Sequence, residues 1–257
     1  MRLPGSPSIL LQSAVFDMPR VEHREAAVKS DPFAASEPAP AQGRRYDASR
    51  RRAHAERARD AIVETARAQF LAGGYTATTV TAIAAGAGVS AETIYKSFGG
   101  KPGLVRAIRT KALAGTGAVH AETRSDHLTA TEQDPLEIIR GWGRLTAEVA
   151  PLVAPIHLLV RDAAVADPAM LDLLHEMDDA RLERMTDNAR RFAASGHLRP
   201  DLSVDDAGQV MWTYSSPELY ELLILRRRWS LDRLADFITD ALGAALLGPD
   251  QRRSRAV

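Results

Sequence analysis

A chain of 257 residues with 45% hydrophobic side chains is long enough to bury a core as one large domain or two modest ones. It contains no cysteine, which excludes disulfides and thiolate zinc sites, and it has no apolar run near the ~20 residues of a membrane span. The formal charge of zero hides a split: residues 1–43 carry a net −1, residues 44–113 a net +8 and residues 114–257 a net −7. A basic module beside an acidic one points to an anionic partner for the first.

Residues 1–43 mix Pro, Ala, Ser and charge without a sustained period, as in Asp31-Pro32 and Glu37-Pro38-Ala39-Pro40. Such a segment buries too little apolar surface to offset its ordering entropy, so a disordered extension is expected there. The uncharged stretch from Ser8 to Phe16 makes a poor signal-peptide core. A single Arg precedes it, and Asp17, Met18 and Pro19 stand where a small-residue cleavage site belongs. The sequence reads as that of a cytoplasmic protein with no membrane partner.

From Arg44 the chain turns basic, through Arg44, Arg45, Arg50, Arg51, Arg52, Arg57 and Arg59. This is either a solvated linker with a charged helix start or a DNA-contacting arm. Ile62, Ala66 and Phe70 then recur at four-residue spacing, and Gly73-Gly74 closes that helix. Thr79 can cap a short second helix with Val80, Ile83 and Ala84 inward. Gly88 supplies the positive φ of a tight turn, and Ser90 caps a third helix whose inner face is Ile94 and Phe98. Ala84, Ala85 and Ala87 let the second and third helices approach closely.

Three short helices, the last two joined by a glycine turn, predict a helix-turn-helix. Ser90, Ala91, Glu92, Thr93, Tyr95, Lys96 and Ser97 are left for the outer surface of the third helix and its edges. Hydroxyls and Tyr95 suit phosphates or base edges, and Lys96 can neutralise phosphate. Glu92 belongs at the helix N-terminus, where the dipole favours an acid.

Asp134-Pro135, Asp167-Pro168 and Ser216-Pro217 each place an N-cap before a proline suited to the first helical position. Ser203 to Asp206 resembles a capping box, and Ser230 caps a last helix from Leu231 to about Leu247. A long helix is expected from Pro168 to about Ser195, and another from Pro217 to Arg226. No alternating β-branched run suggests a strand. The expected fold is all-α: an N-terminal three-helix helix-turn-helix domain followed by a helical bundle. Its expected parts are the extension at 1–43, the arm and DNA-binding domain at 44–110, the regulatory domain at 111–247 and a disordered tail at 248–257.

The run Phe70-Leu-Ala-Gly-Gly-Tyr75-Thr-Ala-Thr-Thr79-Val80, continued by Ile83-Ala84, Ala87-Gly88-Val89-Ser90, Thr93-Ile94-Tyr95, Phe98, Lys101 and Leu104, resembles the N-terminal domain of the TetR family of transcriptional regulators. The resemblance covers about fifty residues and joins many positions at fixed spacing. It implies a homodimer on a pseudo-palindromic DNA operator, usually repressing and released by a small-molecule effector. Carried over by position, it implies DNA contacts at Thr79, Thr93, Tyr95, Ser97 and Lys101, with Ser90 and Ala91 opening the recognition helix. Two positions depart from it. Gly100 stands where a polar helix cap is common, and Gly86 where a better helix former is, so both are expected to loosen the head. A Ser at position 100 is expected to firm the cap of the fourth helix, which turns Leu104, Val105 and Ile108 inward.

The acidic half says less. Trp142, His157, Arg161, Met170, Met177, Trp212 and Tyr214 are candidate lining residues for an effector pocket, against the plainer reading of each as core or surface. Leu234, Phe237, Ile238, Ala241, Leu242 and Ala245 form a helical stripe. It serves either the monomer's own core or, as the resemblance favours, a four-helix dimer bundle, with the helix from Ser203 to Ser215 as a rival contributor. No nucleophile–base pair, phosphate loop or metal spacing is present in the sequence. Catalytic residues, metal and cofactor are therefore not expected, and the protein is not expected to be an enzyme. The leading reading is a ligand-responsive repressor; the alternative is a regulator controlled by a protein partner or by no small ligand.

Overall fold

The computed structural model describes residues 42–249. The expected extension, all but its last two residues, and the tail from residue 250 lie outside them, as do the side chains of Arg44, Arg45 and Arg51 in the basic arm. Every regular element among the described residues is helical.

The head is built from α1 (Gln42–Gly73), α2 (Val80–Ala87), α3 (Ala91–Phe98) and α4 (Lys101–Leu113). The basic stretch is a continuous helix that begins at Gln42, inside the segment expected to be an extension. Gly74 ends α1 at φ 79°, donating its N–H to the Phe70 carbonyl at 2.8 Å. Thr79 and Ser90 cap α2 and α3, each hydroxyl accepting at 3.1 Å from the backbone N–H three residues on. Each such cap contributes ~1 kcal/mol. Gly88 makes the turn between them at φ 67°, a backbone angle that costs a Cβ-bearing residue.

Gly86 does not loosen this packing. A Cβ there would come within 2.8 Å of Gln69 Nε2 and 2.9 Å of Thr65 Cγ2, so the glycine is what lets α2 lie against α1.

Behind the head follow α5 (Ala121–Thr131), α6 (Pro135–Ala164), α7 (Pro168–Ala194), α8 (Val204–Tyr214), α9 (Pro217–Tyr220) and α10 (Leu231–Leu246). Asp134, Asp167, Ser203, Ser216 and Ser230 each cap the helix they precede. The helix expected from Pro217 to Arg226 is instead one turn of α-helix continued by a π-helical turn at Glu221–Arg226, and Arg228 then turns the chain at φ 59°.

Two cores lie along α6. The first joins Phe70, Ile83, Ile94, Leu104 and Ile108 of the head to Ile156 and Val160 of α6 and to Met170, Leu173 and Met177 of α7. The second joins Ile138, Ile139 and Trp142 of α6 to Phe192, Met211 and the α10 residues Leu234, Ile238, Leu242 and Leu246. Leu234, Ile238 and Leu242 of the α10 stripe therefore serve the chain's own core and are closed to a partner, while Phe237, Ala241 and Ala245 are half-buried. Helix α6 is long and apolar enough to cross a membrane, with a mean hydropathy of 1.2 over the relevant window, but residues along it are buried in both cores.

Candidate nucleic-acid interface and effector cavity

Helix α3 buries Ile94 and half-buries Phe98 against the head, which leaves one face to solvent. Thr93, Lys96 and Ser97 are exposed on it, and Tyr95 is 58% exposed although it is a large aromatic ring. Ala91 is half-buried at the start of the helix, beside the exposed cap Ser90. The Ser90 and Thr93 hydroxyls lie 2.9 Å apart and share a hydrogen bond, which fixes the Thr93 side chain. Glu92 occupies the first turn, where the dipole favours it. Thr79 is exposed, and its hydroxyl oxygen accepts from the Ala82 N–H.

Arg59, in the basic stretch of α1, folds back onto this unit. Its guanidinium lies 4.3 Å from the Phe98 ring centroid and donates to the Ser97 carbonyl at 3.2 Å. At least this arginine of the arm braces the recognition helix.

Lys101 is similarly committed. Its ammonium donates to the carbonyls of Tyr75, at 2.7 Å, and Thr78, at 3.1 Å, and burial lowers its pKa. Two of its three N–H donors are thus used inside the head. Gly100, just before it, has φ 110° and ψ −159° and makes no side-chain cap. A Cβ there would sit 3.4 Å from Tyr95 Cε1 in a backbone conformation that L-residues rarely adopt. The expectation that Ser would firm this cap is overturned: Ser is strained at position 100.

The C-terminal helical domain holds a cavity of about 180 Å³ between α4, α5, α6, α7, α8 and α10. Trp142, His157, Met177 and Tyr214 line it, as the sequence reading proposed. The other three candidates do not. Met170 is fully buried in the core shared with the head. Arg161 pairs with Glu221 at 3.0 Å near the end of α6. Trp212 is stacked by the Arg181 guanidinium at 4.3 Å, outside the lining.

The lining also contains residues that sequence reasoning passed over: Arg109 of α4, Ser125 of α5, and Arg181 and Asn188 of α7. Arg109 follows Val105 by four residues and so continues the inward stripe of α4, the one signal that could have found it. His157 faces Asp178, with Nε2 3.5 Å from Oδ1. Burial lowers its pKa, Asp178 raises it and Arg181 lowers it further; the net direction is down, which favours the neutral imidazole. Asp178 also accepts from Arg181 at 3.2 Å.

One helix connects the two sites. Helix α4 sends Leu104, Val105 and Ile108 into the head's core and Arg109 and Leu113 into the cavity wall. It is fastened to α7 by a bidentate pair from Arg106 to the two Glu176 oxygens, at 3.1 and 2.7 Å, and to α1 by Lys111 with Glu64, at 3.0 Å. An exposed, capped third helix on a small head, joined through such a helix to a bundle with a cavity, makes a helix-turn-helix domain on a helical C-terminal domain.

Residues 62–108 match the family model described as bacterial regulatory proteins, tetR family. The match covers the head alone, from within α1 to within α4. Solved structures share its fold. A protein of Syntrophomonas wolfei assigned to the TetR-family regulators aligns over 74% of this chain and 94% of its own, with a TM-score of 0.61 and 17% identity. The complex of SmeT with triclosan aligns over 76% and 93%, with a TM-score of 0.59 and 18% identity. NalD of Pseudomonas aeruginosa, the secondary repressor of the MexAB-OprM multidrug efflux pump, aligns over 76% and 98%, with a TM-score of 0.58 and 18% identity. Comparison with curated protein sequences finds no match.

Proposed function

We propose that the protein is a ligand-responsive repressor that binds a pseudo-palindromic operator as a homodimer in the cytoplasm. The observation that carries this reading is α4, a single helix that sends residues both into the head's core and into the wall of the cavity. A ligand that preferred a different position of α4 would alter the placement of α3, and its differential affinity would set the size of the response. SmeT was solved with a small molecule bound, and NalD is described as a repressor; both have this fold and support the reading by analogy.

In this reading Thr79, Ser90, Ala91, Thr93, Tyr95, Lys96 and Ser97 form the DNA-facing surface, with Lys101 contributing its remaining N–H. Two heads related by a twofold axis would stand ~34 Å or more apart to reach successive major grooves. Since the buried members of the α10 stripe are spent within the chain, the dimer contact falls on neighbouring surface. Leu222 and Leu225 of the π-helical turn and Leu231 at the start of α10 are its exposed apolar residues, at 47%, 48% and 39%.

Mass action supplies the test. A fraction of cell extract that raises the protein's melting temperature should also reduce its retention on operator DNA, because a ligand stabilises the state that it binds. Fractions that raise the melting temperature and leave operator occupancy unchanged would contradict ligand control.

A further inference from the structure

The polar lining of the cavity is unbalanced. Trp142 Nε1 and Arg181 Nε can only donate, Ser125 Oγ can donate or accept, and Asn188 Oδ1 can only accept; all four atoms are buried and have no partner. Trp142 and Asn188 are 4% exposed and Ser125 is 7% exposed. Buried polar groups are nearly always paired, so four orphans around one cavity mark a place where another molecule completes them.

A cation stands beside them. Arg109 is half-buried, and its guanidinium makes one long hydrogen bond, 3.4 Å to the Met177 carbonyl, with no ion pair among the described residues. The carboxylates around it are engaged or peripheral. Asp178 is held by Arg181, Glu176 is held by Arg106, and Glu122 is exposed at the rim. Arg184, the third cationic lining residue, spends its charge on Asp126 at 2.8 Å. His157 is biased towards its neutral form and competes for no anion. Between the polar groups the walls are apolar, formed by Leu145, Val149, Val153 and Met185.

We infer that the effector is an amphiphilic anion whose carboxylate seats on Arg109 and whose apolar body lies against Val149, Val153 and Met185. This rests on the ligand-responsive reading of the same cavity and names its ligand class. A guanidinium matches a carboxylate by two parallel N–H bonds, and the orphaned donors match acceptor oxygens. A neutral apolar ligand would leave Arg109 without an ion pair, and a cation would be repelled by it. The free volume of about 180 Å³ is slightly more than the ~150 Å³ that holds benzene, so the resting cavity suits a short aryl or alkyl acid. Arg109 directly follows Ile108, which is buried in the head's core, so a carboxylate drawing on the guanidinium pulls on the helix that carries the head.

The experiment is calorimetry on the full chain with 4-phenylbutyrate and octanoate, each paired with its primary amide, which keeps shape and removes charge. The acids should bind about tenfold or more tightly than the amides, a difference of roughly 1.4 kcal/mol. Arg109→Gln should erase that preference and Arg109→Lys should keep most of it, with circular dichroism reporting that both variants fold. Equal affinity of acid and amide, a preference that survives Arg109→Gln, or no binding of either at millimolar concentration would overturn the anion assignment. Ligand control itself fails by a different sign: no extract fraction raises the melting temperature.

Discussion

The Lys101 ammonium lies 4.1 Å above the Tyr75 ring centroid while donating to the carbonyl of that same residue at 2.7 Å. Burial pushes the Tyr75 hydroxyl up to about 12, so the ring stays neutral beneath the cation at every working pH. The pair ties the loop after α1 to the first turn of α4, and the resemblance alone would have made Lys101 simply a phosphate contact. Lys101→Ala should therefore lower stability by about 1.5–3 kcal/mol, the range for hydrogen bonds to a charged group, measured by denaturant unfolding. Its effect on the salt slope of DNA binding should fall below the ~0.9 of a full phosphate contact. Lys96→Ala should do the reverse, cutting the salt slope with the stability unchanged. Equal stability of both variants would refute the strut role.

Tyr95 is the large aromatic residue on the exposed face of α3, and its ring is what a Cβ at position 100 would meet. A base-edge role for Tyr95 predicts that Tyr95→Ala costs about 1–3 kcal/mol at the operator and much less on unrelated DNA, since it removes no formal charge. Tyr95→Phe separates the hydroxyl from the ring. Titrations of operator and random duplex at one salt concentration read both quantities, and a uniform loss on the two duplexes would make Tyr95 a backbone contact.

Glu148 locks the segment between α4 and α5 onto α6. Its carboxylate accepts from Arg124 at 2.6 and 2.9 Å and from the Thr116 backbone N–H at 2.8 Å. The Arg124 hydrogen bond, followed by those from Thr116, brings its pKa down from 4.5 to about 2. The folded value is depressed, so the stability that it contributes is fully present above pH 4.5 and is lost as the pH falls toward 2. Glu148→Gln should melt lower than the parent at neutral pH, and the gap should close through that acid window. A gap that stayed constant with pH would assign the loss to packing rather than ionisation.

The head was legible in the sequence because each of its parts is a local signal. Thr79 and Ser90 cap helices that begin one residue later, Gly88 marks its own turn, and Ile94 and Phe98 need only four-residue spacing to show a buried face. What escaped was non-local. Nothing within a few residues of Lys101 tells that its ammonium finds carbonyls 26 and 23 positions back in the chain. The α10 stripe showed that Leu234, Ile238 and Leu242 are buried but not by what, because one periodicity serves a core or a partner equally well. Gly100 read as a weak cap since a residue name carries no φ. The cavity was half legible: bulky candidates such as Trp142 and Met177 line it, while Arg109, Ser125 and Asn188 meet there only once three helices have packed.

The central claim is that α3 reads a specific twofold DNA site from a dimer, and footprinting on chromosomal DNA tests it most directly. Expected are discrete protected sites containing two inverted half-sites whose centres lie about one helical turn or more apart, ~10 base pairs at the least, on one face of the duplex. Tyr95→Ala should lose that protection while Arg109→Gln keeps the same sites in the absence of effector. Protection that is uniform along the DNA, or confined to single unpaired half-sites, would contradict the account.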